Sequence, residues 1–256
     1  MQWLPLSKKY LEIQTRRTSK GFIDNMSKHL KKKRIVIKLS GSIFGSNADS
    51  KSIKEYGTMI TELRRHIQPI VITGGGNIAR HYISLARDLG GDEASLDIMG
   101  IDVSRLNAKL LIYSVGNGIY PQVPTNLDEV SIAAETGGPV ILGGLHPGQS
   151  TNATSALVAE KVKAEIFLNA TDVNGIYDSD PNIDRHAKMF KTITVDKCIE
   201  ILGKESSMAG KYDLMDMVAL KIIERSRIPT LILRSNVSNI IKTIKSDAKI
   251  GTRILV

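Results

Sequence analysis

From Arg34 onward the chain alternates short apolar, β-rich segments with amphipathic helical patterns, and this alternation constrains the fold more than any other feature. The segments that suit buried strands are 34–39, 69–73, 139–142, 165–169 and 230–233. Between the first two, apolar residues recur at helical spacing, which predicts a helix over 51–67. Strand–helix alternation predicts an α/β fold in which a mostly parallel sheet carries helices on both faces.

Further helical patterns complete this prediction without dividing the body of the chain. They lie near 77–89, 102–115, 126–136, 151–163, 208–226 and 237–246. Asp97 falls between two of these patterns, and Ile254–Val256 is expected to close the edge of the sheet. Because no repeat or linker interrupts the alternation, 34–256 is predicted to be a single domain.

Positive charge is concentrated at the N-terminus. The chain has 35 Lys and Arg against 26 Asp and Glu, a formal net charge of +9. Residues 1–34 hold ten basic and two acidic side chains, a net +8, so the other 222 residues carry only +1. We expect 1–33 to be a solvated or disordered basic extension, with Met26 as an alternative start. The nearly neutral body argues against a specific nucleic-acid partner, which leaves RNA binding through the extension as an alternative.

Other classes of protein are excluded by missing features. No stretch approaches the roughly 18 apolar residues of a membrane span, and no secretory apolar region precedes the body. These features predict a cytoplasmic protein with no membrane partner. The single cysteine, Cys198, excludes an internal disulfide and a cysteine-cluster zinc site, and five histidines include no i,i+4 pair. We therefore expect no protein-ligated metal.

Ligands of open α/β sheets bind at the carboxyl ends of the strands, so the loops that follow strands are the candidates for chemistry. The first loop, 40–46, continues the sequence KLSGS at 38–42. Lys38 places a cation beside small residues with exposed backbone N–H groups, an arrangement that suits phosphate oxygens. An edge-strand lysine followed by a turn is the structural alternative.

The second loop, 74–80, reads GGGNIAR between a strand and a helix. Its three glycines permit close backbone approach to an anion at a helix N-terminus, and Arg80 can add a bidentate clamp. The string also fits G-x-G-x-x-A with Asp97 about 20 residues further on. A dinucleotide fold is nevertheless disfavoured, because the glycines follow the second strand and Asp97 is not at a strand end.

The third loop, 143–151, reads GGLHPGQST and nearly matches a P-loop. Gln149 occupies the position of the P-loop lysine, so we reject that assignment. A loop of glycines and hydroxyls before a helix can still bind a polar ligand through its backbone and through Ser150 or Thr151. His146 has no neighbouring histidine, which favours a loop residue over a metal ligand.

The fourth loop, 170–181, contains the turn-forming pairs Asn-Gly and Asp-Pro. Turn chemistry alone explains those pairs. Tyr177 could instead offer a stacking surface to a purine, with Thr171 and Asp180 forming hydrogen bonds around it.

In this order, the loops and the segments around them resemble the amino acid kinase family, and within it the archaeal type of uridylate kinase. The similar segments are VIKLSGS (36–42), VITGGGNIAR (71–80), LDIMGIDVSRLNA (96–108), ILGGLHPGQSTNATSALVAE (141–160), NATDVNGIYDSDP (169–181) and DLMDMVALKIIERSRI (213–228). The resemblance covers about 35–256. It implies a three-layer αβα sandwich with a mostly parallel central sheet, the amino acid kinase fold, usually assembled as a hexamer. It also implies ATP-dependent conversion of UMP to UDP with Mg²⁺ accompanying ATP.

The resemblance also assigns roles by position. Lys38 and Asp216 correspond to catalytic positions. The ATP-binding positions are Lys38, Gly41, Ser42, Gly76, Arg80, Thr171, Asp172, Tyr177 and Asp180. The UMP-binding positions are Gly75, Arg80, Asp97 at the ribose, and the loop residues Gly144, Leu145, His146, Pro147, Gly148, Gln149, Ser150 and Thr151.

Two positions distinguish this chain from relatives. Isopentenyl phosphate kinases, which share the fold, have a histidine at the position of Arg80, and this difference favours a nucleotide substrate. Many family members have an aspartate where this chain has Asn152, so an organising carboxylate is absent here and Asp216 is left to hold the cation cluster. Isopentenyl phosphate, acetylglutamate or aspartate kinase activity, and a non-catalytic nucleotide-binding or storage role, remain alternatives.

The absence of a His–Asp or Ser–His arrangement is consistent with a kinase of this kind. Phosphoryl transfer requires positioning and positive charge more than covalent help. The acceptor is itself a phosphate with a second pKa of about 6, so it is mostly dianionic at pH 7. No general base is then required.

Overall fold

The computed structural model describes residues 32–179, 181, 183–205, 214–246 and 248–256. The basic extension up to residue 31, Met26 and Asp180 lie outside the described residues. Lys33–Val256 form one compact unit.

A single seven-stranded sheet forms the centre of this unit, within the residues that the structure describes. The strands are β1 (Arg34–Leu39), β2 (Gln68–Thr73), β3 (Val140–Leu142), β4 (Ile166–Thr171), β5 (Thr192–Thr194), β6 (Thr230–Arg234) and β7 (Thr252–Leu255). They are arranged in the order β3-β2-β1-β4-β6-β7-β5. Neighbours from β3 to β6 are parallel, while β7 runs antiparallel to β6 and parallel to β5.

Eight α-helices occur in the described part of the chain: α1 (Ser50–Leu63), α2 (Gly76–Asp88), α3 (Glu93–Val115), α4 (Leu127–Glu135), α5 (Thr151–Lys161), α6 (Val195–Glu205), α7 (Met217–Ser226) and α8 (Val237–Ser246). Several begin at a polar cap that the sequence supplies. Asp49 accepts a hydrogen bond from the Ser52 amide at 2.7 Å, and Asp92 accepts one from the Ser95 amide at 3.0 Å. Such caps satisfy amides that have no partner within the helix.

Helices cover both faces of the sheet, so the architecture is the expected three-layer αβα sandwich. One apolar cluster lies between the sheet and α4, α5, α6 and α7. A second lies between the opposite face and α1, α3 and α8. The strands β1 to β4 are almost wholly buried, as expected for parallel strands covered on both faces.

The chain reverses its direction of travel across the sheet at the boundary between β1 and β4. From β1 it proceeds outward through β2 to β3, whereas β4 lies on the other side of β1 and leads to β6. A crevice outside the carboxyl ends of the strands forms at such a switch point. The loops after β1 and β4 therefore border the position where a ligand is expected.

Several details of the sequence prediction are corrected by the structure. Asp97 lies within α3 rather than between helices, because Asp92 caps a helix whose apolar residues are spread around its circumference. Of the helix expected over 208–226, residues 208–213 lie outside the described residues. Among the described residues this helix begins at Met217 and not at Leu214, since Asp216 accepts the Ala219 amide and acts as its cap.

The edge of the sheet was also predicted incorrectly. The last strand, β7, lies between β6 and β5, so β5 forms the edge. The segment that forms β5 and α6 was not predicted, because β5 has three residues and buries only Ile193. In the part of the chain that the structure describes, no helix has the length and apolarity to cross a bilayer.

Candidate active site

Lys38 lies near the carboxyl end of the central strand β1 and is only 9% exposed. Side chains alternate along a strand, so Lys38 projects from the face that buries Val36, on the side of α5 and α7. Ser40 follows and caps a single 3₁₀ turn, Gly41–Phe44, by accepting the Ser42 amide at 3.3 Å. The strand thus ends in a tightly turned loop with its cation held at the sheet surface.

The first and second loops contact each other backbone to backbone. A Cβ atom added to Gly41 would lie 2.5 Å from Gly76 Cα and 2.8 Å from the carbonyl carbon of Gly75. Gly76 itself has a φ of +66°, a conformation that favours glycine. Glycine is therefore required at both positions for this approach, which joins the ends of β1 and β2.

Helix α3 is joined to the second loop and to the end of β2 by hydrogen bonds of buried polar side chains. The Asn107 amide donates to the Gly74 carbonyl at 2.8 Å, and the Thr73 hydroxyl donates to the Ser104 carbonyl at 2.8 Å. Asn107 and Ser104 are 2% and 1% exposed. Arg80 is exposed on the second turn of α2. Asn107 and Ser104 were not predicted as site residues, because single polar residues within an apolar helix carry no signal of what they contact.

The same helix also fixes the third loop. The Gly144 amide donates to Ser104 Oγ at 2.8 Å, and Arg105 donates to the Gly144 carbonyl at 3.1 Å. The Gly148 amide donates to the carboxylate of Asp97 at 2.6 Å. Asp97 and the third loop, both expected at a UMP site, are therefore brought together. Arg105 was not predicted in this role.

Within the third loop the side chains differ in environment. Leu145 is 4% exposed and packs in the core, so it contributes its backbone to the loop surface. His146, Pro147 and Gly148 are exposed, and Gln149 is half-buried. The loop thus presents mainly backbone and small polar groups on the side away from the core.

The N-termini of α5 and α7 are joined by a hydrogen bond between their caps. Ser150 Oγ accepts the Asn152 and Ala153 amides, each at 3.0 Å, and donates to the Asp216 carboxylate. Asp216 accepts the Ala219 amide at 2.9 Å. Two helix N-termini, each the positive end of a helix dipole, therefore meet on the face of the sheet that carries Lys38. Such an arrangement favours an anion.

Asn169, on β4, is a buried residue of the site that was not predicted individually. It pairs in register with Lys38 and is fully buried. Its side-chain amide donates to the Leu214 carbonyl at 2.8 Å, two residues before Asp216. An asparagine in a buried strand could have suggested this role, since β-strand interiors rarely contain asparagine.

The fourth loop connects to the first. Ser42 donates its hydroxyl proton to Asp172 at 2.8 Å, and the Thr171 carbonyl accepts the Ser235 amide at 2.6 Å. Tyr177 is half-buried and forms an isolated antiparallel bridge with Met189. The geometry therefore links the loops after β1 and β4 across the switch point.

The chain is similar to known proteins in sequence and in fold. The model of the amino acid kinase family matches residues 33–234. The uridylate kinase of Methanobrevibacter smithii is 39% identical over 223 residues, which cover 87% of this chain and 99% of that protein. The uridylate kinase of Methanosarcina acetivorans is 42% identical, with 78% and 85% covered. The crystal structure of uridylate kinase from Archaeoglobus fulgidus has a TM-score of 0.77 at 37% identity, covering 86% of this chain and 99% of that one.

Proposed function

The chain belongs to the amino acid kinase family, and from this premise we propose that it catalyses ATP-dependent phosphorylation of UMP to UDP. The observation that carries the proposal is the convergence of four strand-end loops on one edge of the sheet. The first loop touches the second through Gly41 and Gly76 and the fourth through Ser42 and Asp172. The third loop touches Asp97 and Asp216 through Gly148 and Ser150. A donor and an acceptor nucleotide can therefore occupy adjoining parts of one cleft.

We assign the ATP phosphates to the side of the cleft that contains Lys38. The amides of Gly41 and Gly76 supply hydrogen-bond donors, Ser42 joins this loop to Asp172, and Lys38 supplies positive charge. Thr171, Asp172 and Tyr177 border the nucleoside of ATP. Asp180 stays a prediction in this role, because it lies outside the described residues.

We assign UMP to the side that contains the third loop. Arg80 and the Gly75 amide bind its phosphate. Asp97 is placed at the ribose. One of its oxygens already accepts the Gly148 amide at 2.6 Å, so the other oxygen is the acceptor for a ribose hydroxyl. The backbone of 144–151 encloses the uracil.

Transfer then proceeds in line between two phosphates. An oxygen of the UMP phosphate attacks the γ-phosphorus of ATP, the bond to the β,γ-bridging oxygen breaks, and ADP leaves. Lys38 and the N-termini of α5 and α7 stabilise the negative charge on the transferred group. When bound, Mg²⁺ neutralises charge on the β- and γ-phosphate oxygens. Asp216 is the carboxylate that fits this ion, since Mg²⁺ is usually held by one or two carboxylates plus substrate phosphates.

The test is a coupled measurement of ADP release with UMP, CMP, isopentenyl phosphate and N-acetylglutamate as acceptors. We expect the highest kcat/KM with UMP. A higher value with isopentenyl phosphate or N-acetylglutamate would assign a different kinase activity to the same fold. Binding of both nucleotides without ADP release would instead indicate a storage or binding protein.

We further propose that the enzyme is a homo-oligomer, and that dimers formed through α2 and α3 build a hexamer. These helices expose an apolar surface, which we call the α2–α3 face, formed by Tyr82, Leu85, Leu89, Ile98, Leu106, Leu110 and Tyr113. A groove of about 940 Å³ runs along it. Exposed apolar surfaces of this kind mark protein–protein contacts.

Light scattering after size-exclusion chromatography tests the proposed assembly. Leu106 is 57% exposed and Tyr113 is 79% exposed, so charging either should not unfold the protomer. We expect a hexamer for the unmodified chain and smaller species for Leu106→Glu and Tyr113→Glu. An unchanged mass in both variants would place the interface elsewhere.

We also propose that 34–256 form a single catalytic domain and that the enzyme acts in the cytoplasm. The buried, unpaired thiol of Cys198 is consistent with a reducing compartment. Deletion of residues 1–31 should leave kcat unchanged, and a loss of activity would give the extension a catalytic role.

A further inference from the structure

Two buried asparagines at the carboxyl edge of the sheet have a carboxamide oxygen without a hydrogen-bond partner. Asn169 on β4 is 0% exposed and Asn152 in the first turn of α5 is 4% exposed. In each, Oδ1 is buried and no donor within the described structure reaches it. An unpaired buried acceptor is destabilising, so one that lies beside a ligand site is a candidate for contact with the ligand.

The orientation of the Asn169 carboxamide is set by its nitrogen atom. Its Nδ2 donates to the Leu214 carbonyl at 2.8 Å, so exchanging the nitrogen and oxygen would break that bond. Asn169 pairs in register with Lys38, and paired residues on adjacent strands project from the same face. The free oxygen of Asn169 therefore belongs to the sheet face where the phosphates are expected.

Asn152 is connected to the same place through the two helix caps. The backbone amide of Asn152 donates to Ser150 Oγ at 3.0 Å, and the Ser150 hydroxyl donates in turn to Asp216. Leu214, which Asn169 holds, lies two residues before Asp216. Asn152 is thus connected to Asp216 through Ser150, and Asn169 is connected to the segment that leads into Asp216.

The kind of ligand that fits beside these two carboxamide oxygens follows from the hydrogen bonds that they can accept. Phosphate oxygens are acceptors, so a phosphate cannot satisfy a carboxamide oxygen. Mg²⁺ keeps several of its waters, which donate hydrogen bonds, and it is bound by oxygen ligands. Protein kinases combine an aspartate with an asparagine at their magnesium ions. The residues present therefore fit a hydrated magnesium ion.

We infer that the carboxamide oxygens of Asn152 and Asn169, with Asp216, hold the hydrated Mg²⁺ that accompanies the nucleotide. This role rests on the proposed kinase function. In the described part of the chain no group of three or more His, Cys, Asp or Glu side chains could hold a metal ion. Two neutral ligands and one carboxylate bind a divalent cation weakly by themselves. The site therefore takes up metal together with nucleotide phosphates, and Asn152 avoids a second negative charge facing them.

The test measures Mn²⁺ affinity by electron paramagnetic resonance, using the protein with saturating ADP. Leucine resembles asparagine in shape and has no oxygen, so the variants are Asn152→Leu and Asn169→Leu. Loss of a residue that orients metal ligands costs about tenfold to a hundredfold in metal affinity, and we expect a loss of at least tenfold in each variant. Thr154→Val is the matched control, because Thr154 Oγ1 is equally buried and unpaired in the same helix. It should leave the Mn²⁺ affinity unchanged.

A variant with an added carboxylate should change the Mn²⁺ affinity in the opposite direction. Asn152→Asp should strengthen Mn²⁺ binding and allow it without ADP. Wild-type Mn²⁺ affinity in either leucine variant would overturn the assignment for that residue. A fall in kcat with unchanged Mn²⁺ affinity would also overturn it, because the oxygens would then serve Lys38 rather than the metal.

Thermal unfolding of the free protein separates a functional role from a structural one. Removing an unpaired buried oxygen should leave the Tm of Asn152→Leu equal to or above that of the unmodified protein. A fall of several degrees would show that Asn152 has a structural role and would overturn the inference. If the unmodified protein did not bind ADP, the proposed kinase function itself would fail. Unchanged Mn²⁺ affinity with intact ADP binding would refute the metal role alone.

Discussion

Replacing Gly41 by alanine tests the contact between the first and second loops. The added Cβ would lie 2.5 Å from Gly76 Cα and 2.8 Å from the carbonyl carbon of Gly75, whereas ordinary contact begins near 3.4 Å. The Gly76 nitrogen would lie closer still, so the loops must separate by more than 0.9 Å, the difference between 3.4 and 2.5 Å. The obstructing atoms belong to backbone and cannot rotate away. A displacement of about 1 Å in an active site can cost about 10²-fold in rate.

We expect kcat for UMP phosphorylation to fall about 10²-fold in Gly41→Ala. Overpacking lowers the stability of the folded protein by about 1–3 kcal/mol. Alanine also reduces the conformational entropy of the unfolded chain, which offsets about 0.4–1 kcal/mol of this loss. The net loss of stability should therefore be on the order of 1–2 kcal/mol, and Tm should fall by several degrees. The variant should remain folded, so its activity can be measured.

Gly45→Ala in the same loop is the matched control. A Cβ there would meet only the Ser42 carbonyl oxygen, at 3.3 Å, and Gly45 has an ordinary φ of −68°. This variant should retain its kcat and its Tm. The assay is coupled ADP release at saturating ATP and UMP, with Tm from calorimetry. If Gly41→Ala kept its full kcat, the close approach of the two loops would have no part in catalysis.

The remaining predictions concern single side chains. Lys38→Ala should lower kcat by about 10² or more, in the range found when one transition-state donor is removed, and an unchanged kcat would refute its role. Arg80→Ala should chiefly raise KM for UMP in steady-state kinetics, whereas equal effects on ATP and UMP would contradict its placement. Burial raises the pKa of the Cys198 thiol to about 12, so the thiol stays protonated at neutral pH. Iodoacetamide should therefore leave the native protein unmodified by mass spectrometry while modifying the denatured protein, and rapid native modification would contradict the burial of Cys198.

The sheet and the helices that cover it could be predicted because their signals are local. The strand 34–39 and the helix near 51–67 follow from apolar runs and helical spacing, and the structure has them at Arg34–Leu39 and Ser50–Leu63. The start of α7 could not be located in this way. Leu214 continues the apolar spacing of the helix, but Asp216 captures the Ala219 amide and begins the helix at Met217. Side-chain capping overrides periodicity at such a boundary.

The site was predictable where a residue type is unusual in its position and not where its partner is distant in sequence. Lys38 at a strand end and the three glycines at 74–76 are the patterns from which a phosphate site is predicted. Asn169 and Ser104 form no such pattern, since their roles depend on Leu214 and Gly144, which are 45 and 40 residues away. The joining of the α5 and α7 caps through Ser150 and Asp216 is likewise a product of tertiary structure.

The most direct measurement is a crystal structure with a non-hydrolysable ATP analogue and UMP bound together. We expect Lys38 Nζ within about 3.2 Å of a γ-phosphate oxygen, at hydrogen-bond distance. We also expect a UMP phosphate oxygen about 3–3.5 Å from the γ-phosphorus and opposite the leaving oxygen. Nucleotides bound in separate clefts, or a Lys38 ammonium remote from both phosphates, would contradict the proposed transfer between two phosphates over Lys38.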